Sequence, residues 1–391
     1  MIVTLLVFLL ILSVLVLIHE AGHYFVAKKF GIKVEEFGFG FPLTPPLWQI
    51  KRGETLYSFY PVLIGGFVKL YGEDEAGAGR IETKEVKKDE DEDRAFYARP
   101  LGQRVAVIVA GVVMNVLLAV FVYYIFLGIS GFKQEIGLIG NPHFFGNNAT
   151  VKSQVIVSEI EKNSPAAQAG ITPFSTVDSI NGKKYTEVEA FAAAIKENTG
   201  KQMQITWKDE KNKVHTAMVT PRVKHAKNQG ALGVGFYPNR TVTLSYDTPT
   251  QKLFSGFVHP ANLLVYNFDA LGYLISISVK EKTVAPVSQG VSGPVGIGYY
   301  VGTIIQLPDV QQRLLQLLNL VGLLSISLAF FNILPIPGLD GGRLFFIILE
   351  AVTKRKLDPK VEGYIHAVGM VVLLALLLLV TLKDIHQFFI K

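Results

Sequence analysis

The chain has 391 residues, half of them hydrophobic, and a mean hydropathy of +0.35, which is too apolar for an ordinary soluble protein and points to a membrane protein. The absence of cysteine excludes disulfides, cysteine nucleophiles and cysteine-ligated zinc. A net charge of +6 reads as the cytoplasmic flanks of membrane spans rather than as a nucleic-acid surface.

The first apolar run, 2–18, is interrupted only by Thr4 and Ser13 and ends in His19-Glu20-Ala21-Gly22-His23. No basic segment precedes it and no small-residue cleavage site closes it, so an uncleaved span reaching about Phe25 is expected. His19 and His23 fall one turn apart on one helix face. That spacing lets two imidazoles grip one zinc ion, with Glu20 beside them to take a proton from water. The plainer reading is a pair of histidines marking a membrane boundary, but ionisable groups beside hydrocarbon are costly and functional by default. A third protein ligand has to come from elsewhere.

The connection 29–100 contains strand-like stretches at 34–41, 55–61 and 63–71. Phe37 to Pro42 and Ile64 to Val68 suit the membrane surface. Two readings stand: a small sheet whose edge at Gly65, Gly66 and Phe67 binds extended substrate by strand addition, or a solvated hairpin joining two spans. Residues 82–94 form a mixed charge run expected to be a solvated loop. The second span, 105–129, carries Gly111 and Asn115 four residues apart, which permits close packing and an interhelical hydrogen bond. For Asn115 a structural role and a substrate-facing one are both open.

Between 150 and 223 the composition turns soluble. Strand 154–160, a short helix at 164–170, strand 177–180 with the turn Asn181-Gly182, helix 187–197 and strands 203–207 and 214–219 follow in order. This order, with the words SPAAQAG and SINGK, resembles a bacterial PDZ domain, departing from it at 174–178. Residues 253–279 are apolar but interrupted by Pro260, Asn267 and Asp269. An amphipathic helix at the outer interface, or one covering the bundle, suits them better than a fifth span. Ser292 to Ile297 reads as a bend without a derivable role.

The third span, 314–334, ends in FNILPIPGLDGG at 331–342. Two prolines stop the helix and the glycines permit a tight turn. Such a break at membrane depth is tolerated only where the backbone is buried in protein or lines a cavity. Asp340 is thereby held at the depth of His19 and His23, and two His with one Asp leave a tetrahedral zinc one open position. A helix N-cap for 341–352 is the alternative. The fourth span is 365–382. Lys28, Lys29, Arg99 and Arg104, then Lys354, Arg355 and Lys356, place both short connections in the cytoplasm, with the termini and 130–312 outside.

HEAGH on the first span, Gly111 and Asn115 on the second, the PDZ-like insert and NxxPxPxLDGG on the third resemble the site-2 protease family of intramembrane zinc metalloproteases. More narrowly, they resemble the bacterial regulator-of-sigma-E-protease type with a single PDZ domain. The stretch 99–104 and GPVGI at 293–297 are family words too. The resemblance implies one zinc per chain on His19, His23 and Asp340, Glu20 as the catalytic base, and Asn332 as a substrate contact. It also implies a multi-pass protein of the bacterial cytoplasmic (inner) membrane. Its substrates would be single-span proteins, such as anti-sigma factors and remnant signal peptides, shortened first by a site-1-type protease. The PDZ region would exclude bulky outer domains.

The rival is a non-catalytic PDZ-bearing membrane adaptor with a structural zinc, against which the intact Glu20 argues. A metal carrier is weaker, because one site without a chain of polar residues makes a poor pathway. The expected fold is a polytopic α-helical membrane protein with four transmembrane helices, a small membrane-associated cytoplasmic β-region and an extracytoplasmic PDZ-like α/β domain. Its expected divisions are 1–28, 29–100, 101–130, 131–225 (PDZ), 226–312 (linker with interfacial helix), 313–350 and 361–385. The lipid bilayer is the expected environment, and no nucleic acid is a partner.

Overall fold

The computed structural model describes residues 2–73, 91–209, 213–224, 230–355 and 358–390. Most of the expected charged loop, 82–90, and Lys356 lie outside the described residues. The chain opens with α1 (Ile2–Lys29), strands β1 (Val34–Phe41), β2 (Trp48–Arg52), β3 (Thr55–Phe59) and β4 (Val62–Leu70), and α2 (Leu101–Ile129). There follow β5 (Lys133–Gly137), β6 (Asn148–Ile160), α3 (Pro165–Gln168), β7 (Thr176–Ile180), β8 (Lys183–Lys184), α4 (Val188–Glu197), β9 (Met203–Lys208), β10 (Val214–Val219) and β11 (Val234–Ser245). The remainder is helical: α5 (Pro249–Glu281), α6 (Ala285–Gly290), α7 (Pro294–Ile305), α8 (Val310–Ile333), α9 (Asp340–Thr353) and α10 (Pro359–Ile385). Two compact units result, Met1–Phe132 with Thr248–Lys391, and Lys133–Asp247.

In the first unit, five helices among the described residues are long and apolar enough to cross a membrane, one more than expected. The addition is α5. Pro260, Asn267 and Asp269 do not break it. Thr248 and Gln251 close a capping box at its start. Asn267 Nδ2 donates to the Leu263 carbonyl at 2.6 Å. Around Pro260, the buried His259 packs its ring 4.9 Å from Tyr123 and 6.2 Å from Phe126 of α2. The buried polar residues of this helix are Ser255, His259 and Asn262, whereas Asn267 and Asp269 are exposed.

The GPVGI stretch is also not a bend but the first turn of α7. Asp384, fully buried near the end of α10, accepts from the Gly293 and Gly296 amides, both at 2.8 Å. A carboxylate there satisfies amides that a helix start leaves unpaired and opposes the helix dipole. Ile11 and Leu15 of α1, Val301 and Ile304 of α7 and Leu320 of α8 form one core cluster.

The four-stranded sheet has the order β2-β3-β1-β4, with β1 parallel to β3 and antiparallel to β4. β4 is therefore an edge. Its strands 34–41, 55–59 and 62–70 follow the expected pattern, whereas β2 was not legible. Val34 and Leu70 join Ala27, Val107 and Ile347 in a second cluster that seats the sheet on α1, α2 and α9. Glu54, between β2 and β3, bonds Lys28 and Arg94, both at 2.6 Å. The Lys28 bond first, and Arg94 with it, holds the Glu54 carboxyl below its ordinary pKa.

The second unit is one sheet of order β10-β9-β7-β6-β11-β5, with β8 on β7, over which α4 lays Phe191 and Ile195. These join Val155, Val157, Ile180, Ile205 and Trp207 in its core. Ser164 Oγ accepts from the Ala167 amide and starts α3. Asn181 and Gly182 take the left-handed conformation of the expected turn. Strand β6 is longer than the sequence suggested because β11 pairs with it from Val234 to Ser245. That pairing carries this unit to Asp247, beyond the boundary at 225 expected from composition.

Candidate active site

Helix α1 presents His19, Glu20 and His23 from its C-terminal half because α2 approaches it closely. A Cβ on Gly22 would lie 2.4 Å from the Ala110 carbonyl oxygen, and one on Gly111 would lie 2.4 Å from His23 Nε2. The glycine of the GxxxN pattern is there to leave room for the histidines. From the other side, α8 stops at Ile333 before Pro335, and Gly338 turns the chain at φ +97°. The chain re-enters a helix at Asp340.

This turn carries Asp340 to the histidines. Asp340 Oδ2 is 2.9 Å from His19 Nε2 and 3.3 Å from His23 Nε2, and the two Nε2 atoms are 3.2 Å apart. Ligand atoms held about 2.0–2.1 Å from a tetrahedral zinc sit roughly 3.3 Å from one another, so this triangle has the right size. The outer nitrogens supply a second test. His23 Nδ1 donates to the Val107 carbonyl at 2.8 Å, which leaves its Nε2 with a lone pair directed at the triangle. Asn115 of α2, fully buried, lies 3.1 Å from His19 Nδ1 through one end of its amide, while the buried Oδ1 has no partner among the described residues. With the amide ends exchanged, Oδ1 accepts the His19 Nδ1 proton and the second Nε2 is also free. Two imidazole lone pairs and a carboxylate oxygen facing one point repel unless a cation lies among them. The residues therefore fit a zinc ion.

Asn332, in the last turn of α8, places its amide 3.3 Å from His19 Nε2, so it borders the same point. Glu20 and His23 line a cavity of about 770 Å³ together with Phe67, Glu73, Asp340 and Arg343. Strand β4 runs beside it: a Cβ on Gly66 would lie 3.8 Å from Glu20 Cγ. Gly65 is in the left-handed region at φ +93° and Phe67 lays its ring on Gly38 of β1. The residues singled out from the sequence as ligands, base and polar contacts thus gather in one place, with Gly66 and Phe67 beside them. Two that were not are Arg343 and Glu73, which form an ion pair in the cavity wall. Arg343 could have been found three residues after Asp340, on the same face of α9. Nothing local marks Glu73.

Residues 7–376 match the sequence profile of peptidase family M50. The chain therefore belongs to peptidase family M50. The Regulator of sigma-W protease RasP of Bacillus subtilis is 27% identical to it over 99% of each chain. Zinc metalloprotease RasP of Geobacillus kaustophilus is 26% identical over 98% of this chain and 97% of its own. A protein of Clostridium perfringens is 30% identical over 96% of this chain and 97% of its own. Among solved structures, the PDZ domain of the SdrC-like protein of Listeria monocytogenes matches 21% of this chain and 85% of its own, at 19% identity and a TM-score of 0.19.

Proposed function

We propose that this zinc metalloprotease hydrolyses peptide bonds in or near the transmembrane segments of single-span membrane proteins, with His19, His23 and Asp340 holding one zinc per chain. The observation that carries the reading is the meeting of those three side chains at one point, with Glu20, His23 and Asp340 in the wall of a single cavity. Bound there, zinc supplies Lewis acidity toward a scissile carbonyl and acidifies water to a pKa near ~7. Glu20 accepts the proton from water and returns it to the leaving amine. Asn332 holds the substrate backbone beside His19. The open edge of β4 at Gly65, Gly66 and Phe67 takes an unwound substrate segment as an added strand, since peptide carbonyls tied up in a helix cannot be attacked.

The protein is a multi-pass protein of the bacterial inner membrane, with the active site toward the cytoplasm and the PDZ-like unit and both termini on the other side. Four net crossings are supported by where α5 and α7 begin. α5 starts beside Tyr124, near the end of α2. α7 starts at Asp384, near the end of α10, and both positions lie at the outer ends of their helices under the positive-inside rule. α5 then covers the bundle rather than adding a net crossing. Substrates are anti-sigma factors or remnant signal peptides, trimmed first by a site-1-type protease, and the PDZ-like unit keeps bulky outer domains away.

The test is incubation of the purified protein with a single-span reporter substrate, with Glu20→Gln and a chelator as controls. Cleavage abolished by both is expected. Cleavage that survives Glu20→Gln overturns the role given to Glu20, and no cleavage by the wild-type protein on any trimmed substrate favours the adaptor.

A further inference from the structure

The turn that delivers Asp340 has few internal bonds to hold it. Pro335 and Pro337 contribute no amide proton, and Ile336 and Leu339 make only short-range bonds, to Leu334 and Ile336. The Gly338 amide is left over, and its partner comes from a distant helix. His366 of α10 accepts from it through Nδ1 at 2.9 Å. A backbone N–H can only donate, so Nδ1 carries no proton there and the ring is the Nε2–H tautomer. The ring is buried, 8% exposed, and packs edge-on to Phe346 of α9 at 5.5 Å. Its Nε2 has no partner among the described residues, so the imidazole is held by its packing and by the one bond it makes to the turn. Gly369, one turn further on, lets α10 sit directly on that turn: a Cβ there would lie 2.2 Å from the Pro337 carbonyl oxygen.

We infer that His366 is a positioning residue for catalysis, which acts by fixing the Gly338 amide and hence the approach of Asp340 to His19 and His23. Three features distinguish this from a packing role. The bond falls two residues before Asp340. It is made to a glycine at positive φ that has no alternative internal partner in the turn. It also uses one ring nitrogen while the other, in a buried setting, has no partner among the described residues, an arrangement with a cost that a hydrophobic residue of similar size would avoid. The inference rests on Asp340 being a zinc ligand, as proposed above.

The experiment compares His366→Asn, His366→Leu and Asp340→Ala in the purified full-length protein. Each is read by zinc retention under a graded chelator and by kcat and KM on one trimmed substrate. Asn places Oδ1 where Nδ1 lies and keeps an acceptor, whereas Leu fills the space without one. His366→Leu is expected to surrender zinc at roughly 10- to 100-fold lower chelator, the range seen when an outer-shell partner of a metal ligand is lost, with kcat reduced and KM little changed. His366→Asn is expected to stay within about threefold of wild type, on the same scale. If His366→Leu does not fold, His366→Ala takes its place in the comparison. Equal zinc retention by Leu (or Ala) and wild type, or equal loss in Leu and Asn, overturns the positioning role. Zinc retention unchanged in Asp340→Ala overturns the ligand assignment instead, so the two failures are separable.

Discussion

Asn115 of α2 meets His19 of α1 through its side-chain amide, which lies 3.1 Å from His19 Nδ1. Among the described residues His19 makes no other bond at that nitrogen, so the amide decides which ring nitrogen carries the proton. Asn115→Leu removes the acceptor while keeping the branched shape and the number of heavy atoms. Zinc affinity measured by chelator competition should fall about 10- to 100-fold, while Asn115→Asp, which keeps an oxygen there, should retain more of it.

Zinc content should be about one per chain in the wild type and fall sharply in His23→Ala and Asp340→Ala, measured by elemental analysis of protein purified without added metal. Glu20→Gln should keep its zinc and lose kcat by roughly 10²- to 10⁴-fold, the usual contribution of a positioned base. Zinc unchanged in both ligand variants would remove the site.

Two alanine substitutions separate room for the histidines from room for the helices. At Gly111 the new methyl would meet His23 Nε2 at 2.4 Å and His19 Cε1 at 2.7 Å, so Gly111→Ala should abolish zinc retention. At Gly22 it would meet the Ala110 backbone, so Gly22→Ala should first lower stability, by about 1–3 kcal/mol for an overpacked contact. Thermal melting alongside metal content tells the two apart.

The edge strand is tested by comparing Phe67→Pro with Phe67→Leu on one unwound substrate. Proline removes an amide and stiffens the strand, whereas leucine keeps the main chain intact. A lost buried hydrogen bond of about 1–3 kcal/mol slows cleavage roughly 5- to 150-fold if it is made in the transition state. Equal kcat/KM in the two variants would return β4 to the role of a simple connection.

Glu54 predicts a small pH effect on stability. Lys28 and Arg94 depress its pKa in the folded protein, so its contribution is complete above the unfolded value of about 4.3 and is lost as pH falls through the lower, folded value. The pair is partly exposed, 28% for Glu54, so the contribution is at most about 1 kcal/mol. Glu54→Gln should lower the melting temperature slightly at pH 7 and flatten its decline below pH ~4.

The candidate site was legible because its chemistry is written locally. HEAGH fixes two imidazoles and a carboxylate by helix spacing alone, and FNILPIPGLDGG breaks a helix and then offers an acid. What lay hidden depends on partners far along the chain. GPVGI looked like a bend because the group that starts its helix is Asp384, about 90 residues away. β11 was missed because Pro238, Asn239 and Arg240 interrupt the alternation that its partner β6 enforces. α5 reads as interrupted because Pro260, Asn267 and Asp269 look like breaks, while the packing of the adjoining His259 on Tyr123 and Phe126 of α2 leaves no local mark. Neither His366 nor Glu73 carries a local pattern at all.

α10 is a strut fastened at two points, His366 under the turn that leads to Asp340 and Asp384 under the start of α7. Along a straight helix these fastenings are roughly 27 Å apart at about 1.5 Å per residue, close to the ~30 Å hydrocarbon thickness of a typical bilayer. Between them no residue of the most apolar stretch is buried in protein, so much of the shaft is left open to its surroundings. Lipids too short or too long for that shaft would load the fastenings, and the lower one holds the loop that carries Asp340. Turnover in vesicles should therefore peak at an intermediate acyl-chain length, which makes the thickness of the bilayer itself a parameter of the catalytic centre.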